Sequence, residues 1–215
     1  MTEPRFAYPI FLNLAGRRAV VVGGGQVALR KARALADAGA AVRVVAPEFL
    51  PQFAEDERFE CVAETYQARH VADAVVVVAA TDDEAVNARA AADAREAGAL
   101  VNVVDEPDRC DFIVPSQVRR GDLLIAVSTG GAAPSLARRL RERLEKEFGP
   151  EYETLLAALR EVRERMKAND LPPERRRRLF ERLTEEDILA AARRGPEALR
   201  RAIDAVVTPH GHPSG

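Results

Sequence analysis

The chain of 215 residues has no tryptophan, two cysteines, three histidines and no long uninterrupted apolar run. Cys61 and Cys110 can build neither a disulfide framework nor a C-x-x-C metal pair, so a reducing cytoplasm is the default compartment. Nothing approaches the roughly 20 apolar residues that cross a bilayer. The opening residues do not read as a secretory signal either, since Thr2–Arg5 is polar and Phe6–Leu14 is broken by Pro9 and Asn13. No membrane partner is expected. Two of the histidines, His210 and His212, sit in the last residues, a poor place to preorganise ligands, and no metal site is expected. Aromatics are 5% of the chain, and the basic residues alternate with acids. That pattern argues against nucleic acid.

What is present is ordinary for a soluble globular protein: 47% hydrophobic and 31% charged residues. The length suffices for one sizeable domain and a smaller one. The net charge of −2 hides an asymmetry. Residues 1–134 carry 14 Lys/Arg against 19 Asp/Glu, whereas residues 135–215 carry 18 against 15, nearly all arginine. An ion-paired helix surface explains this, and so do arginines facing an anionic ligand.

The chain is organised around Val20–Lys31, V-V-V-G-G-G-Q-V-A-L-R-K. A Val run, a glycine turn and a helical stretch, Gln26 to Ala38, follow in the order that a dinucleotide-binding βαβ unit requires. Gly23 would make the tight turn, Gly25 would admit a pyrophosphate, and Ala28 is the third small position. Gly24, Gln26 and Val27 complete the turn, and amides at the helix start would hold phosphates. The second strand, Val42–Val45, is closed by Pro47, and Glu48 is the one acid placed to meet an adenosine ribose. Arg43 lies inside the strand, a poor position for binding a 2′-phosphate. NAD is therefore expected in preference to NADP.

Further strands are expected at Phe59–Ala63, Val75–Val78 and Leu100–Val104. Short β-branched runs alternating with Ala-rich helices signal a doubly wound parallel sheet. Thr81 and Glu84 form a capping-box pattern for a helix over Asp82–Ala97, and Thr81 also falls where ligands of such sheets bind. Asp105 follows the fifth strand in N-V-V-D-E-P-D. It reads equally as a candidate base and as a turn residue. Phe112–Pro115 and Leu123–Val127 are expected to pair as a hairpin through a turn at Arg119-Arg120-Gly121-Asp122. Ser128, Thr129, Gly130 and Gly131 lead into a helix over Ser135–Phe148, with Pro134 at its first position. They read as a second anion cradle or as plain helix capping. Four helices follow, Glu151–Ala168, Pro172–Leu183, Thr184–Arg194 and Pro196–Val207, and the chain is expected to fray from Thr208.

Together G-G-G-Q-V-A-L-R-K-A, A-T-D-D, N-V-V-D, F-I-V-P-S and A-V-S-T-G-G-A-A-P resemble the siroheme-synthase type of precorrin-2 dehydrogenase, from Pro9 to about Phe148. Some members of that family are also sirohydrochlorin ferrochelatases. The chain shows no counterpart of the methyltransferase half of fused siroheme synthases, so methylation is not implied. The resemblance implies a Rossmann-like NAD-binding domain at 1–112, a small α+β dimerisation region at 113–149, an all-α lobe at 150–207 and a flexible tail at 208–215. It implies a homodimer that uses NAD to oxidise precorrin-2, a tetrapyrrole rich in carboxylates, to sirohydrochlorin. Fe²⁺ insertion stands beside this as an open second activity. The cofactor would lie over Gly23–Ala28, with Pro47 and Glu48 near its adenosine. Asp105 matches the family's essential aspartate. Ser116, Ser128 and Thr129 match positions beside the substrate, and Arg119 and Arg120 are candidates to pair its carboxylates. The rival reading is a non-catalytic Rossmann module that responds to the NAD/NADH ratio.

Overall fold

The computed structural model describes residues 8–208, so the expectations for Thr2–Arg5, His210, His212 and the end of the tail lie outside the described residues. The chain forms two compact units, Met1–Val114 and Pro115–Gly215. Among the described residues no helix is long and apolar enough to cross a membrane.

The first unit is a five-stranded parallel sheet. Its strands are β1 (Arg18–Val22), β2 (Ala41–Ala46), β3 (Phe59–Ala63), β4 (Val76–Ala79) and β5 (Leu100–Val103), in the order β3-β2-β1-β4-β5. Helix α1 (Gln26–Asp37) links β1 to β2, and α2 (Glu84–Glu96) links β4 to β5. This is the doubly wound α/β arrangement that the alternating Val runs and Ala-rich helices imply. Strand order reverses between β1 and β4, so their carboxyl ends part to leave a crevice. Ala19–Val22 and Val76–Ala79 are buried, because helices cover both faces. One face packs Val21, Val44 and Val78 against Ala28, Leu29 and Ala32 of α1. The other packs Val20, Val77 and Val101 against Ala90, Ala91 and Ala94 of α2. Small residues on the helices let them approach the sheet closely.

A return segment covers the free edge of β5. The Asp111 amide donates to Val101 O at 2.8 Å, and the Val101 amide donates to the Asp111 carboxylate at 3.0 Å. Buried Asn102 donates to Phe112 O at 3.0 Å. These bonds fix the loop that begins at Asp105.

The second unit opens with a hairpin of β6 (Ser116–Arg120) and β7 (Leu123–Val127), followed by α3 (Pro134–Glu147), α4 (Glu151–Ala168), α5 (Pro173–Leu183), α6 (Glu186–Arg193) and α7 (Pro196–Val207). The hairpin corrects the sequence reading. β7 pairs with Ser116–Arg120, not with Phe112–Pro115, and the turn is only Gly121-Asp122. Pro115 has no amide for a ladder, and Phe112 packs into the core of the first unit. Gly121, at φ +56°, supplies the left-handed first position that a two-residue turn needs. Arg119 and Arg120 thus lie in the strand. Leu155, Leu159 and Val162 of α4 meet Leu183, Ile188, Leu199 and Ile203 in one core.

Candidate functional site

The glycine turn is shaped by its neighbours. Gly23 has φ +134°, and a Cβ there would strike the carbonyl of Ala80. A Cβ on Gly24 would strike the carbonyl of Glu48. Gly25 differs, because a Cβ there meets nothing within 4 Å. Two of the glycines are therefore demanded by packing, and the third borders open space. Gly25 is also the N-cap of α1, and no side chain caps the helix. Its first residues, Gln26 and Val27, line the cleft with no capping side chain, as is also the case at the starts of α3 to α7. Helix α2 contrasts with it: the Asp83 carboxylate accepts from Ala85 N at 2.8 Å and from Val86 N at 3.1 Å.

That contrast corrects the expected capping box at Thr81 and Glu84. The hydroxyl of Thr81 is engaged elsewhere, donating to Asn87 Oδ1 at 2.8 Å, while Asn87 Nδ2 donates back to Thr81 O at 2.9 Å. Asn87 is buried, so this pair fixes the backbone at the carboxyl end of β4.

A cleft of about 800 Å³ opens at the carboxyl ends of the strands. It is lined by Gly23, Gly24, Gly25, Gln26 and Val27 from the glycine turn, by Pro47 and Glu48 after β2, by Thr81 after β4 and by Asp105 after β5. Ala28, buried beneath the turn, packs behind it. The residues singled out in the first unit thus share one cavity. Asp105 sits at φ +61°, a conformation that aspartate tolerates better than most residues. Its turn and candidate-base readings are therefore compatible: the turn presents the carboxylate to the cleft.

The cleft holds groups that no motif announced. Thr65 and Tyr66, just past β3, and Val86 and Arg89 of α2 line it as well. Arg89 Nη2 donates to Tyr66 O at 3.2 Å, and its guanidinium lies 5.5 Å from the centroid of the Tyr66 ring. Buried Tyr66 donates its hydroxyl to Asp93 at 2.9 Å. Burial, and then the Asp93 carboxylate, push the phenol well above its ordinary pKa. Half-buried Lys31 on α1 is held below the ordinary lysine range, first by burial and then by Arg30, while Cys110 and Asp105 pull it back up. A helical spacing of Val86 and Arg89 on one face was the available hint for α2. Nothing local marks Thr65 or Tyr66.

The remaining sequence candidates belong to the second unit. Ser116 opens β6 opposite Val127, and Arg119 stands opposite Leu124. Arg119 is exposed, and its side chain makes no ion pair among the described residues. Arg120 donates to Phe148 O at 3.0 Å and to Glu145 O at 3.1 Å. It caps the carboxyl end of α3, where a cation is favoured, so its guanidinium has a structural task. Ser128 Oγ accepts from Gly130 N at 3.1 Å, and Thr129 Oγ1 accepts from Ala133 N at 3.2 Å. Gly130 and Gly131, at φ +62° and +85°, complete that turn before α3. These bonds hold the turn and not the helix: the N-cap of α3 is Ala133 and no side chain caps it, so the expectation of plain helix capping is corrected.

The arrangement in the first unit fits a dinucleotide on three counts: packing-enforced glycines, an uncapped helix start and an acid across a shared cleft. Comparison with known proteins agrees. Residues 10–116 match the model of a family described as putative NAD(P)-binding, and residues 120–147 match that of the sirohaem biosynthesis protein central region. The chain is 47% identical over 175 residues to a siroheme synthase of Azotobacter vinelandii, covering 80% of this chain and 38% of that protein. It is 48% identical over 182 residues to a siroheme synthase of Nitrosospira multiformis, covering 81% of this chain and 39% of that protein. The chain therefore spans well under half the length of these relatives. A solved structure, "SirC, precorrin-2 dehydrogenase", superimposes with a TM-score of 0.73 at 26% identity, over 93% of this chain and 98% of that one.

Proposed function

We propose, from the premise that the chain belongs to the siroheme-synthase family, that it oxidises precorrin-2 to sirohydrochlorin with NAD. The observation that carries the reading is the single cleft joining Gly23–Val27 to Asp105. NAD, when bound, supplies the hydride acceptor. The rest falls to the protein. The open amides of Gln26 and Val27 hold a pyrophosphate, and Gly25 lets it approach. Glu48 meets the adenosine ribose. Across the cleft, Asp105 takes the proton that must leave precorrin-2 with the hydride, or orients the macrocycle for its departure.

In the second unit, Ser116, Ser128, Thr129 and the Gly130-Gly131 turn are assigned to the tetrapyrrole, with Arg119 pairing one of its carboxylates. Arg120 is left out of that set because its three nitrogens donate to the carbonyls of Glu145, Phe148 and Arg119. The division at 1–112, 113–149, 150–207 and 208–215 is retained as a functional one, with the 113–149 region mediating a homodimer. An exposed Leu136 and Leu140 on α3 support that assignment, since one turn apart they make an apolar strip. Two free cysteines and the use of NAD suit the cytoplasm. Fe²⁺ insertion is a separate activity that the proposal does not include.

The test is to add precorrin-2 to the protein with NAD and follow NADH and sirohydrochlorin together. Stoichiometric appearance of both supports the proposal. Binding of NAD without turnover would favour the rival regulatory module, to which the relatives named above lend nothing.

A further inference from the structure

The cleft has an unusual balance of charge for a site that takes an anionic dinucleotide. The charged side chains lining it are Glu48, Asp82, Asp83 and Asp105 against one cation, Arg89. Arg89 makes no ion pair among the described residues. The acid one turn further along α2, Asp93, is bonded to the Tyr66 hydroxyl instead. The guanidinium is nevertheless held, by a hydrogen bond to Tyr66 O and by the face of the buried Tyr66 ring. It is a positive charge held without an ion-pair contact among the described residues, bordering open space.

Topology says which end of the ligand it meets. Tyr66 follows β3 at one edge of the sheet, and Asp105 follows β5 at the other. The glycine turn lies after β1, between them. Arg89 reaches from α2, whose sheet partners are β4 and β5, to Tyr66 in the loop after β3, and shares the cleft lining with Pro47 and Glu48. The reacting end belongs to Asp105.

We propose that Arg89, seated on Tyr66, clamps the adenosine-monophosphate half of the cofactor and offsets the carboxylates that line the cleft. A guanidinium held at one ring by a cation–π contact keeps N–H groups for a phosphate and a planar surface for adenine. This rests on the reading of the cleft as a dinucleotide site and adds a determinant that the glycine turn does not contain.

Equilibrium binding tests it without turnover. Affinities for NAD, AMP and nicotinamide mononucleotide are measured on the wild-type chain, Arg89→Gln and Arg89→Lys, with thermal melts as a folding control. Arg89 is exposed, so the melts are expected to coincide. In Arg89→Gln, NAD and AMP should weaken about tenfold, or about 1.4 kcal/mol, while nicotinamide mononucleotide is unchanged. Arg89→Lys, which keeps the charge and loses the plane, should fall between. The wild-type affinity for AMP should drop with salt more steeply than that of Arg89→Gln. AMP binding equally well to Arg89→Gln overturns the proposal, as does an equal loss for nicotinamide mononucleotide. Failure to oxidise precorrin-2 while AMP binding still depends on Arg89 would sink the catalytic reading and leave this one standing.

Discussion

Gly24 and Glu48 meet backbone to backbone. The space that a Cβ on Gly24 would need is filled by the carbonyl oxygen of Glu48, and Gly24 O accepts from Leu50 N at 3.0 Å. The turn after β1 is thereby locked to the turn after β2 at the mouth of the cleft.

The two neighbouring glycines should consequently respond differently to the same substitution. Gly24→Ala forces two carbonyl-bearing turns apart and should cost about 1–3 kcal/mol of stability. Gly25→Ala has room, and its φ of −89° suits any residue, so its denaturation midpoint should not move. Its methyl group would stand where a pyrophosphate approaches, and NAD affinity should fall about tenfold. Urea melts and NAD titrations on the pair check both halves. An NAD affinity of wild-type strength in Gly25→Ala contradicts the placement of the phosphates.

Asp105→Asn keeps a residue type that tolerates positive φ, so the loop should survive. With no base in the cleft, NADH formation from precorrin-2 should fall by about two to four orders of magnitude, at nearly unchanged NAD affinity. Turnover within a few-fold of wild type removes Asp105 from the chemistry.

Asp83 alone caps the start of α2, and mutation tests this against the Thr81–Glu84 pattern. Asp83→Ala loses a carboxylate bonded to two amides and should cost about 1 kcal/mol. Glu84→Ala, which removes the group a box would need, should cost clearly less, because Glu84 is not the reciprocal partner of a Thr81 cap. Equal losses in the two variants would restore the capping box.

Lys31 makes stability depend on pH. Its folded pKa lies below the 10.5 of free lysine, chiefly through burial. Between those values the unfolded chain binds more protons than the folded one, so this residue's contribution to stability rises with pH. Lys31→Met, of similar volume without the charge, should be more stable than wild type at neutral pH. The gap should narrow as the pH climbs towards 10.5. Chemical melts over that range give the answer, and a gap that widens contradicts the burial of a charged amine.

Arg119 and Arg120 are adjacent in sequence but differ in task. Arg119→Ala should raise KM for precorrin-2 with no change in melting. Arg120→Ala exposes the last carbonyls of α3 and should lower the melting temperature of the chain. Identical effects from both would show that neither was assigned correctly.

The strands and helices of the first unit were legible because each apolar run is bounded by its own punctuation. Gly23–Gly25 and Gly98 stop strands and helices where local chemistry requires it. The resemblance pairs Asp105 with the glycine turn, and one cleft is lined by both. Features set by distant partners were not legible. The Thr81 hydroxyl is captured by Asn87, six residues on and buried, which no cap pattern encodes. Phe112 reads as a strand residue, yet its carbonyl answers Asn102 and its ring joins the sheet's core. Arg120 reads as a turn cation, yet it reaches carbonyls 25 and 28 residues away. Tyr66 and Arg89, 23 residues apart, meet only because α2 folds back over the sheet.

The bare start of α1 has a thermodynamic consequence. A helix terminus left without a capping side chain forgoes stabilisation that an arriving anion restores, so the nucleotide works as a missing piece of the fold. At a hundredfold excess over Kd it would add about 2.7 kcal/mol. The lifetime of this chain against proteases should then follow the supply of its own coenzyme, with starved molecules cleared first.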